Sequence, residues 1–166
     1  MGAEVVITVC PSCFKIFKET AKNQRVISYW DLMHDLIGVP KECKNIGAES
    51  DVVFNIHDSC VTRDEPTHHA NVRWALDEMG YKWEEIEKNG KNTRCCGVGG
   101  MVCTSRPELY EKLYTRRAGD FNKDNILRFM PWHNAGSWKR WRTYIRPHVW
   151  RYNIHEERCQ ASWIYI

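Results

Sequence analysis

The chain has 166 residues and a formal net charge of +3, from 24 lysines and arginines against 21 aspartates and glutamates. This length allows one domain with its own core, or one domain and part of a second, and the balanced charge predicts no nucleic-acid partner. No segment approaches the roughly 20 consecutive apolar residues of a membrane-spanning helix, so we predict no membrane span either.

The N-terminal residues predict a strand, a pair of cysteines and a helix. Residues 4–9 form a β-branched run typical of a strand buried in a parallel sheet. The motif Cys10-Pro11-Ser12-Cys13 follows at once, and proline is favoured in the first turn of a helix. A second short strand over residues 26–30 and a helix with Asp31 as its N-cap complete this part.

A polar segment, residues 41–50, separates this part from a second set of elements. Residues 51–56 predict a buried strand that ends at His57-Asp58-Ser59-Cys60, and ligands of open α/β sheets gather at such carboxyl ends. The elements predicted after it are a helix over 67–79, a strand over 81–87, a helix from Pro107 and a strand from Asn125. His68 and His69 are expected to face solvent on the first of these helices.

Two adjacent cysteines, Cys95 and Cys96, are followed directly by a glycine-rich run. Neighbouring side chains of a regular strand point to opposite faces, so both cysteines can serve one centre only if the backbone is irregular. Gly97 and the later glycines permit such a backbone and allow N–H groups to approach anionic sulfur. A vicinal disulfide, or two buried thiols beside a turn, are the alternatives that these residues leave open.

Eight cysteines would suit a disulfide scaffold in a secreted chain. The N-terminus shows no basic leader followed by a long apolar core, so we expect a cytoplasmic location. Clustered thiols in that compartment more often take part in metal or redox chemistry. Cys43 and Cys159 are expected to be incidental, and Cys103 to be a packing residue.

The run HDSCVTRD around Cys60 and the run RCCGVGGM at residues 94–101 together resemble the cysteine-rich CCG domain. This family occurs in the B subunit of heterodisulfide reductase and in the iron–sulfur subunits of glycolate and lactate oxidation. Its pattern is a cysteine, a long spacing, Cys-Cys-Gly, a second long spacing and CxxC, usually in two copies. The expected fold is α/β, a short parallel sheet flanked by helices in a Rossmann-like arrangement.

The resemblance implies a set of cluster ligands. Cys60, Cys95 and Cys96, with Gly97 beside them, would bind a [4Fe-4S] cluster of the non-cubane type in a second domain over residues 51–127. Cys10 and Cys13 look like the closing CxxC of a first domain that ends within residues 1–40. Arg94 is expected to offset the negative charge of the thiolates.

The implied function is a redox module for electron transfer or disulfide reduction. Its partners would be other subunits of a redox complex, ferredoxin-like or flavoprotein, in a pathway of small-molecule disulfides or hydroxy acids. Two other classes stay open: a thiol–disulfide exchange module using Cys10 and Cys13 at a helix N-terminus, and a zinc-stabilised interaction domain.

The end of the chain departs from the family pattern. The second CxxC should fall near residues 130–136, where no cysteine occurs. Residues 128–166 form a tail in which five of the eight tryptophans lie between Trp132 and Trp163, interleaved with arginines. We therefore expect a fragment truncated at its N-terminus whose sequence is aberrant after residue 127, as a shift of reading frame would produce.

Overall fold

The computed structural model describes residues 2–128, in which short parallel strands are flanked by helices, and it confirms the predicted α/β class. The strands are β1 (Val5–Thr8), β2 (Arg25–Ser28), β3 (Val53–His57), β4 (Lys82–Glu84) and β5 (Ile126–Arg128). The α-helices are α1 (Pro11–Thr20), α2 (Tyr29–Leu32), α3 (Pro66–Glu78), α4 (Val102–Ser105) and α5 (Pro107–Ala118). None of the helices within residues 2–128 has the length and apolar character needed to cross a bilayer.

The described strands form two parallel sheets. β1 pairs with β2, and β3 lies between β4 and β5 in a separate three-stranded sheet. The connection from β3 to β4 runs through α3, and the connection from β4 to β5 runs through α4 and α5. Because parallel strands all end at the same edge, the loops that follow β3 and β4 lie at one end of the larger sheet.

The main hydrophobic core packs α3 against the larger sheet. Ile56 of β3 and Leu76 of α3 are almost wholly buried, together with Met33 from the π-helical turn that continues α2. A second, smaller cluster surrounds Cys96 and contains Tyr110 and Tyr114 of α5. The paired cysteines therefore have their own packing surface on α5, apart from the main core.

The N-terminal elements pack against the larger sheet's elements. Helix α1 lies against the turn Cys60–Thr62, and Lys18 Nζ is 2.6 Å from Glu65 Oε1. Asn71 Nδ2 donates to Asp31 Oδ1 at 2.7 Å, which joins α3 to α2. The CxxC helix and the Cys60 turn are thus neighbours.

The division into domains at residues 1–40 and 51–127 stays a prediction, and the tail after Arg128 lies outside the described residues.

Two local expectations are wrong. Ser28, and not Asp31, caps α2, because its Oγ accepts the Asp31 N–H at 3.1 Å as an N-cap hydroxyl does. His68 and His69 are 5% and 8% exposed instead of facing solvent. Phe14 of α1 stacks on His68 with ring centroids 6.2 Å apart, and His69 Nε2 lies 3.2 Å from Thr62 Oγ1 in the turn after β3.

Asn55 of β3 is fully buried and its amide joins three chain segments. Nδ2 donates to the Glu84 carbonyl at 3.1 Å, while Oδ1 accepts the N–H groups of Asn122 and Lys123 at 3.0 and 2.9 Å. This single side chain therefore connects β3 to the end of β4 and to the turn that precedes β5.

We expect Asn55→Ala to lower the free energy of unfolding by about 3 kcal/mol, because buried backbone groups lose their partner. Urea unfolding measures this. The matched control is Asn122→Ala, which removes an exposed amide but keeps the backbone N–H, and it should cost less than about 0.5 kcal/mol. Equal losses of unfolding free energy in Asn55→Ala and Asn122→Ala would contradict the conclusion that the Asn55 amide joins these chain segments.

Candidate thiol centre

Cys60 lies in the 3₁₀ turn Cys60–Thr62 that follows β3, close to the paired cysteines. Burial raises the pKa of the Cys60 thiol, and the neighbouring Cys95 and Cys96 sulfurs raise it further, as does a hydrogen bond with Cys95. Arg63 acts in the opposite direction. Sulfurs from two separate loops therefore meet at this end of the sheet.

The CCG loop, residues 95–101, has the irregular backbone that adjacent cysteines need to serve one centre. Gly97, Gly100 and Met101 have φ values of +78°, +65° and +58°. These left-handed conformations turn the chain within a few residues. Gly97 also rests directly on α5, because a Cβ there would fall 3.1 Å from Leu113 Cβ.

Backbone N–H groups of the CCG loop point at its sulfurs. The Gly97 N–H donates to Cys95 Sγ at 3.3 Å. Burial raises the pKa of the Cys96 thiol, whereas hydrogen bonds from the N–H groups of Val98 and of Cys96 itself lower it. Such bonds favour an anionic sulfur, so the loop is suited to thiolates.

The cations that act on the thiols differ from the expected one. The charge of Arg63 lowers the pKa of Cys60 and the charge of Arg117 lowers the pKa of Cys96, in both cases against the larger effect of burial. Arg94 instead forms an ion pair with Asp120, with Nη1 and Oδ1 2.7 Å apart. The positive charge that acts on the thiols therefore comes from Arg63 and Arg117.

Asp58 connects the loop after β3 to the segment that leads into the CCG loop. Its carboxylate accepts from Arg73 Nη1 and Nη2 at 3.1 and 2.7 Å and from the Gly90 N–H at 3.0 Å. Its own N–H donates to Asn89 Oδ1, and its carbonyl accepts from Thr93 Oγ1, both at 3.0 Å. Burial raises the pKa of this carboxyl, but the Arg73 hydrogen bonds and charge outweigh burial and hold it below its usual range.

Cys10 and Cys13 lie at the start of α1, where Cys10 is the N-cap residue and Cys13 is exposed. A hydrogen bond with Cys10 raises the pKa of the Cys13 thiol, with smaller contributions from burial and from the charge of Cys10. Because α1 packs against the Cys60–Thr62 turn, Cys10 and Cys13 lie on an element next to Cys60.

The remaining cysteines are separate from these two groups. Cys43 packs against the main core, and Cys103 packs against the cluster around Cys96. All cysteines of the described residues are free thiols, including the adjacent pair Cys95 and Cys96. Within residues 2–128, no three His, Cys, Asp or Glu side chains are placed to hold a single metal ion. Cys159 and the expected position of the second CxxC lie outside the described residues.

The two cysteine loops on a parallel sheet are similar to a known domain. Residues 54–128 match the family model of the cysteine-rich domain CCG. The chain is 28% identical over 127 residues to the B subunit of the fumarate reductase (CoM/CoB) of Methanothermobacter marburgensis. The alignment covers 75% of this chain and 25% of that protein, so the chain spans about a quarter of the length of its relative.

The charged residues around the thiols are the part that sequence reasoning misses. No motif in the sequence indicates that Asp58 and Arg117 are buried near the thiols. A signal for Arg117 exists in the spacing, because it lies seven residues after Tyr110 and three after Tyr114, on the buried face of α5.

We expect Gly97→Ala to lower the free energy of unfolding by about 1–2 kcal/mol, because an L-residue is strained at positive φ and its Cβ would crowd Leu113. Urea denaturation is the measurement. Gly99→Ala is the matched control, since an added Cβ meets nothing within 4 Å there, and it should be close to neutral. Two indistinguishable denaturation curves for Gly97→Ala and Gly99→Ala would be inconsistent with this loop geometry.

His57 is buried and stacks on Phe121, with ring centroids 5.7 Å apart. Burial, with the charges of Arg117 and Arg128, lowers its pKa from 6.5 to about 3. The unfolded chain therefore binds a proton below pH 6.5 that the folded chain does not bind until about pH 3. The free energy of unfolding that the neutral His57 side chain contributes is therefore present in full above pH 6.5, and it is lost as the pH falls toward 3.

We expect His57→Gln to reduce the acid-induced loss of unfolding free energy by up to about 1.4 kcal/mol per pH unit between about pH 6 and pH 4. Urea titrations across this range measure the slope. A residual slope should persist, because burial also lowers the pKa of His68 and His69. An unchanged slope in the variant would show that His57 protonates in the folded protein.

Proposed function

We propose that this chain is an iron–sulfur redox module of a heterodisulfide-reductase-like oxidoreductase, which transfers electrons or reduces a disulfide at a cysteine-ligated cluster. Cys60, Cys95 and Cys96 would supply the thiolate ligands. The observation that carries the proposal is that the Cys60 turn and the segment leading into Cys95 are held together: Arg63 Nε donates to the Thr93 carbonyl at 2.9 Å, and Thr93 Oγ1 donates to the Asp58 carbonyl at 3.0 Å. The family match and the similarity to a component of a reductase support it.

The donor set fits an iron–sulfur group. Thiolates are the preferred ligands of such clusters, and the neighbouring thiolates of Cys95 and Cys96 would be able to bind two different irons of one cluster. The N–H groups directed at Cys95 and Cys96 would stabilise the ligands as thiolates. When bound, the cluster would supply a site that accepts and releases single electrons. The proposed type is the [4Fe-4S] cluster of the non-cubane class.

The N-terminal pair would serve a second centre. Cys10 and Cys13 are proposed as ligands that close a first CCG-type domain, with the other donors coming from beyond this pair. By similarity to a protein that is named as a subunit, the chain would work beside other subunits, ferredoxin-like or flavoprotein, in the cytoplasm. It would take part in a pathway of small-molecule disulfides or hydroxy acids.

A second candidate function uses the same N-terminal pair as a thiol–disulfide exchange site. The hydrogen bond between Cys10 and Cys13 and the exposure of Cys13 favour it. In this case Cys10 would attack a substrate disulfide, forming a mixed disulfide and releasing one substrate thiol. Cys13 would then attack the Cys10 sulfur, forming a Cys10–Cys13 disulfide and releasing the second substrate thiol. This function requires no metal.

Anaerobic reconstitution with iron and sulfide tests the leading proposal. We expect an electron paramagnetic resonance signal from a cluster, which Cys60→Ser and Cys95→Ser each abolish or strongly change. The matched control is Cys43→Ser, which removes a thiol that packs against the main core and should leave the signal intact.

Three other results would contradict the leading proposal. One is a protein that takes up no iron under these conditions. Another is metal-free turnover of a disulfide that requires Cys10 and Cys13, which would establish thiol–disulfide exchange. The third is stoichiometric zinc that resists dialysis without redox activity, which would establish a zinc-stabilised interaction domain.

A further inference from the structure

The side-chain amide of Asn89 is buried at a point where several parts of the fold meet. Asn89 lies between β4 and the CCG loop, directly before the 3₁₀ turn Gly90–Asn92, and it is 8% exposed. A buried amide needs partners for both its oxygen and its nitrogen. Both atoms have such partners, and these partners show which segments the residue holds together.

The oxygen of this amide joins the loop after β3 to helix α5. Oδ1 accepts the backbone N–H of Asp58 at 3.0 Å and Nη2 of Arg117 at 3.3 Å. Asp58 precedes Cys60 by two residues, and Arg117 is a fully buried residue of α5. One atom of Asn89 therefore connects the segment that carries Cys60 to this helix.

Helix α5 is also the support of the CCG loop. A Cβ at Gly97 would fall 3.1 Å from Leu113 Cβ and 3.2 Å from Tyr110 Cδ2, so the loop lies directly on the helix. Cys96 is buried in one cluster with Tyr110 and Tyr114. A displacement of α5 would therefore displace the paired cysteines as well.

The guanidinium of Arg117 is held on several sides. Nη1 donates to the Lys88 carbonyl at 2.5 Å and to Asp120 Oδ2 at 3.2 Å. The guanidinium also lies over the ring of Phe121, 4.6 Å from its centre. Because these contacts restrict its rotation, Arg117 fixes α5 relative to Asn89.

The nitrogen of the Asn89 amide sets the orientation of the oxygen. Nδ2 donates to Glu85 Oε2 at 3.0 Å, and the other oxygen of this carboxylate pairs with Arg73. The groups on the opposite side, the Asp58 N–H and the Arg117 guanidinium, are both donors, so the amide oxygen faces them. The hydrogen bonds thus define a single orientation of the amide.

Other hydrogen bonds connect Asp58 to the chain that leads into the CCG loop. The Gly90 N–H donates to the Asp58 carboxylate and Thr93 Oγ1 donates to the Asp58 carbonyl, both at 3.0 Å. Among residues 2–128, Asn89 is the side chain that receives hydrogen bonds from both Asp58 and α5. It therefore has a role that the bonds of Gly90 and Thr93 do not duplicate.

We propose that Asn89 is the positioning residue of the thiol centre, and that its amide oxygen sets the separation between Cys60 and the CCG loop. It acts through Asp58 on one side and through α5 on the other. The positioning itself requires no metal, whereas the binding of a cluster by the positioned thiols rests on the proposed function. Holding ligands in place before binding reduces the freedom that is lost on binding.

Cross-linking of the reduced thiols with dibromobimane tests the proposal without metal. The reagent joins two thiols that lie within its short reach, and mass spectrometry of the digested full chain identifies each linked pair. The yield of cross-links between Cys60 and the CCG loop is divided by the yield of the Cys10–Cys13 cross-link, which serves as an internal reference. Asn89→Ala should lower this ratio about fivefold, because a reaction between two held groups is sensitive to small displacements.

Two further variants serve as controls. Asn92→Ala removes an exposed amide from the same turn and should leave the ratio unchanged. Asn89→Asp keeps an oxygen in the position of Oδ1 and loses only the donor to Glu85, so it should retain most of the ratio. Urea denaturation shows whether each variant is folded. If Asn89→Ala does not fold, Asn89→Gln takes its place with the same expected loss, because its extra methylene displaces the amide.

The outcomes separate positioning from a general effect on stability and from the proposed function. A loss confined to the Cys60 cross-links in Asn89→Ala, with Asn89→Asp close to the unsubstituted chain, supports the proposal. An unchanged ratio, an equal loss in Asn92→Ala, or a parallel loss of the reference cross-link would overturn it, as would an unsubstituted chain in which Cys60 forms no cross-link. A chain that forms the Cys60 cross-links but takes up no iron would contradict the proposed function and leave the role of Asn89 intact.

Discussion

The hydrogen bonds of Asp58 hold the two cysteine loops of this domain in place. Its carboxylate binds Arg73 and the Gly90 N–H, and its backbone binds Asn89 and Thr93 on the segment that leads to Cys95. Because this ion pair is buried, removing one partner would leave an unpaired charge at a cost of about 3–5 kcal/mol. The position of Cys60 relative to the CCG loop is therefore determined by the protein itself.

Opposing influences act on the sulfurs that are brought together in this way. Burial and mutual repulsion favour the neutral thiols, whereas N–H donors and the guanidinium groups of Arg63 and Arg117 favour the thiolates. A metal centre would shift this balance, since it binds the deprotonated form and releases the protons.

The elements that the sequence predicted well are those with strong local signals. The β-branched runs indicated β1 and β3, and proline at the first helical turn indicated α1. The cysteines that follow these strands were therefore predicted to lie at strand ends. The family resemblance added the pairing of Cys60 with the CCG motif. Ser28 and Asp31 are both good N-cap residues, and sequence alone could not distinguish them.

What the sequence could not predict depends on contacts between distant segments. His68 packs against Phe14 of α1 and His69 lies against Thr62 of the turn after β3, and no periodicity within α3 reveals these contacts. The environment of Arg117 likewise requires three separated segments, the turn at Lys88 and Asn89, Asp120 and the CCG loop. The charges that act on the thiol pKa values could therefore be identified only from the three-dimensional structure.

We propose that Cys60 and the Cys95–Cys96 pair bind one sulfur-bridged iron centre, and iron K-edge X-ray absorption of the anaerobically reconstituted chain tests this. We expect a first shell of sulfur with iron neighbours beyond it, both lost when the three cysteines are replaced together by serine. A shell of oxygen and nitrogen without iron neighbours, or a sulfur shell that survives the triple replacement, would contradict it.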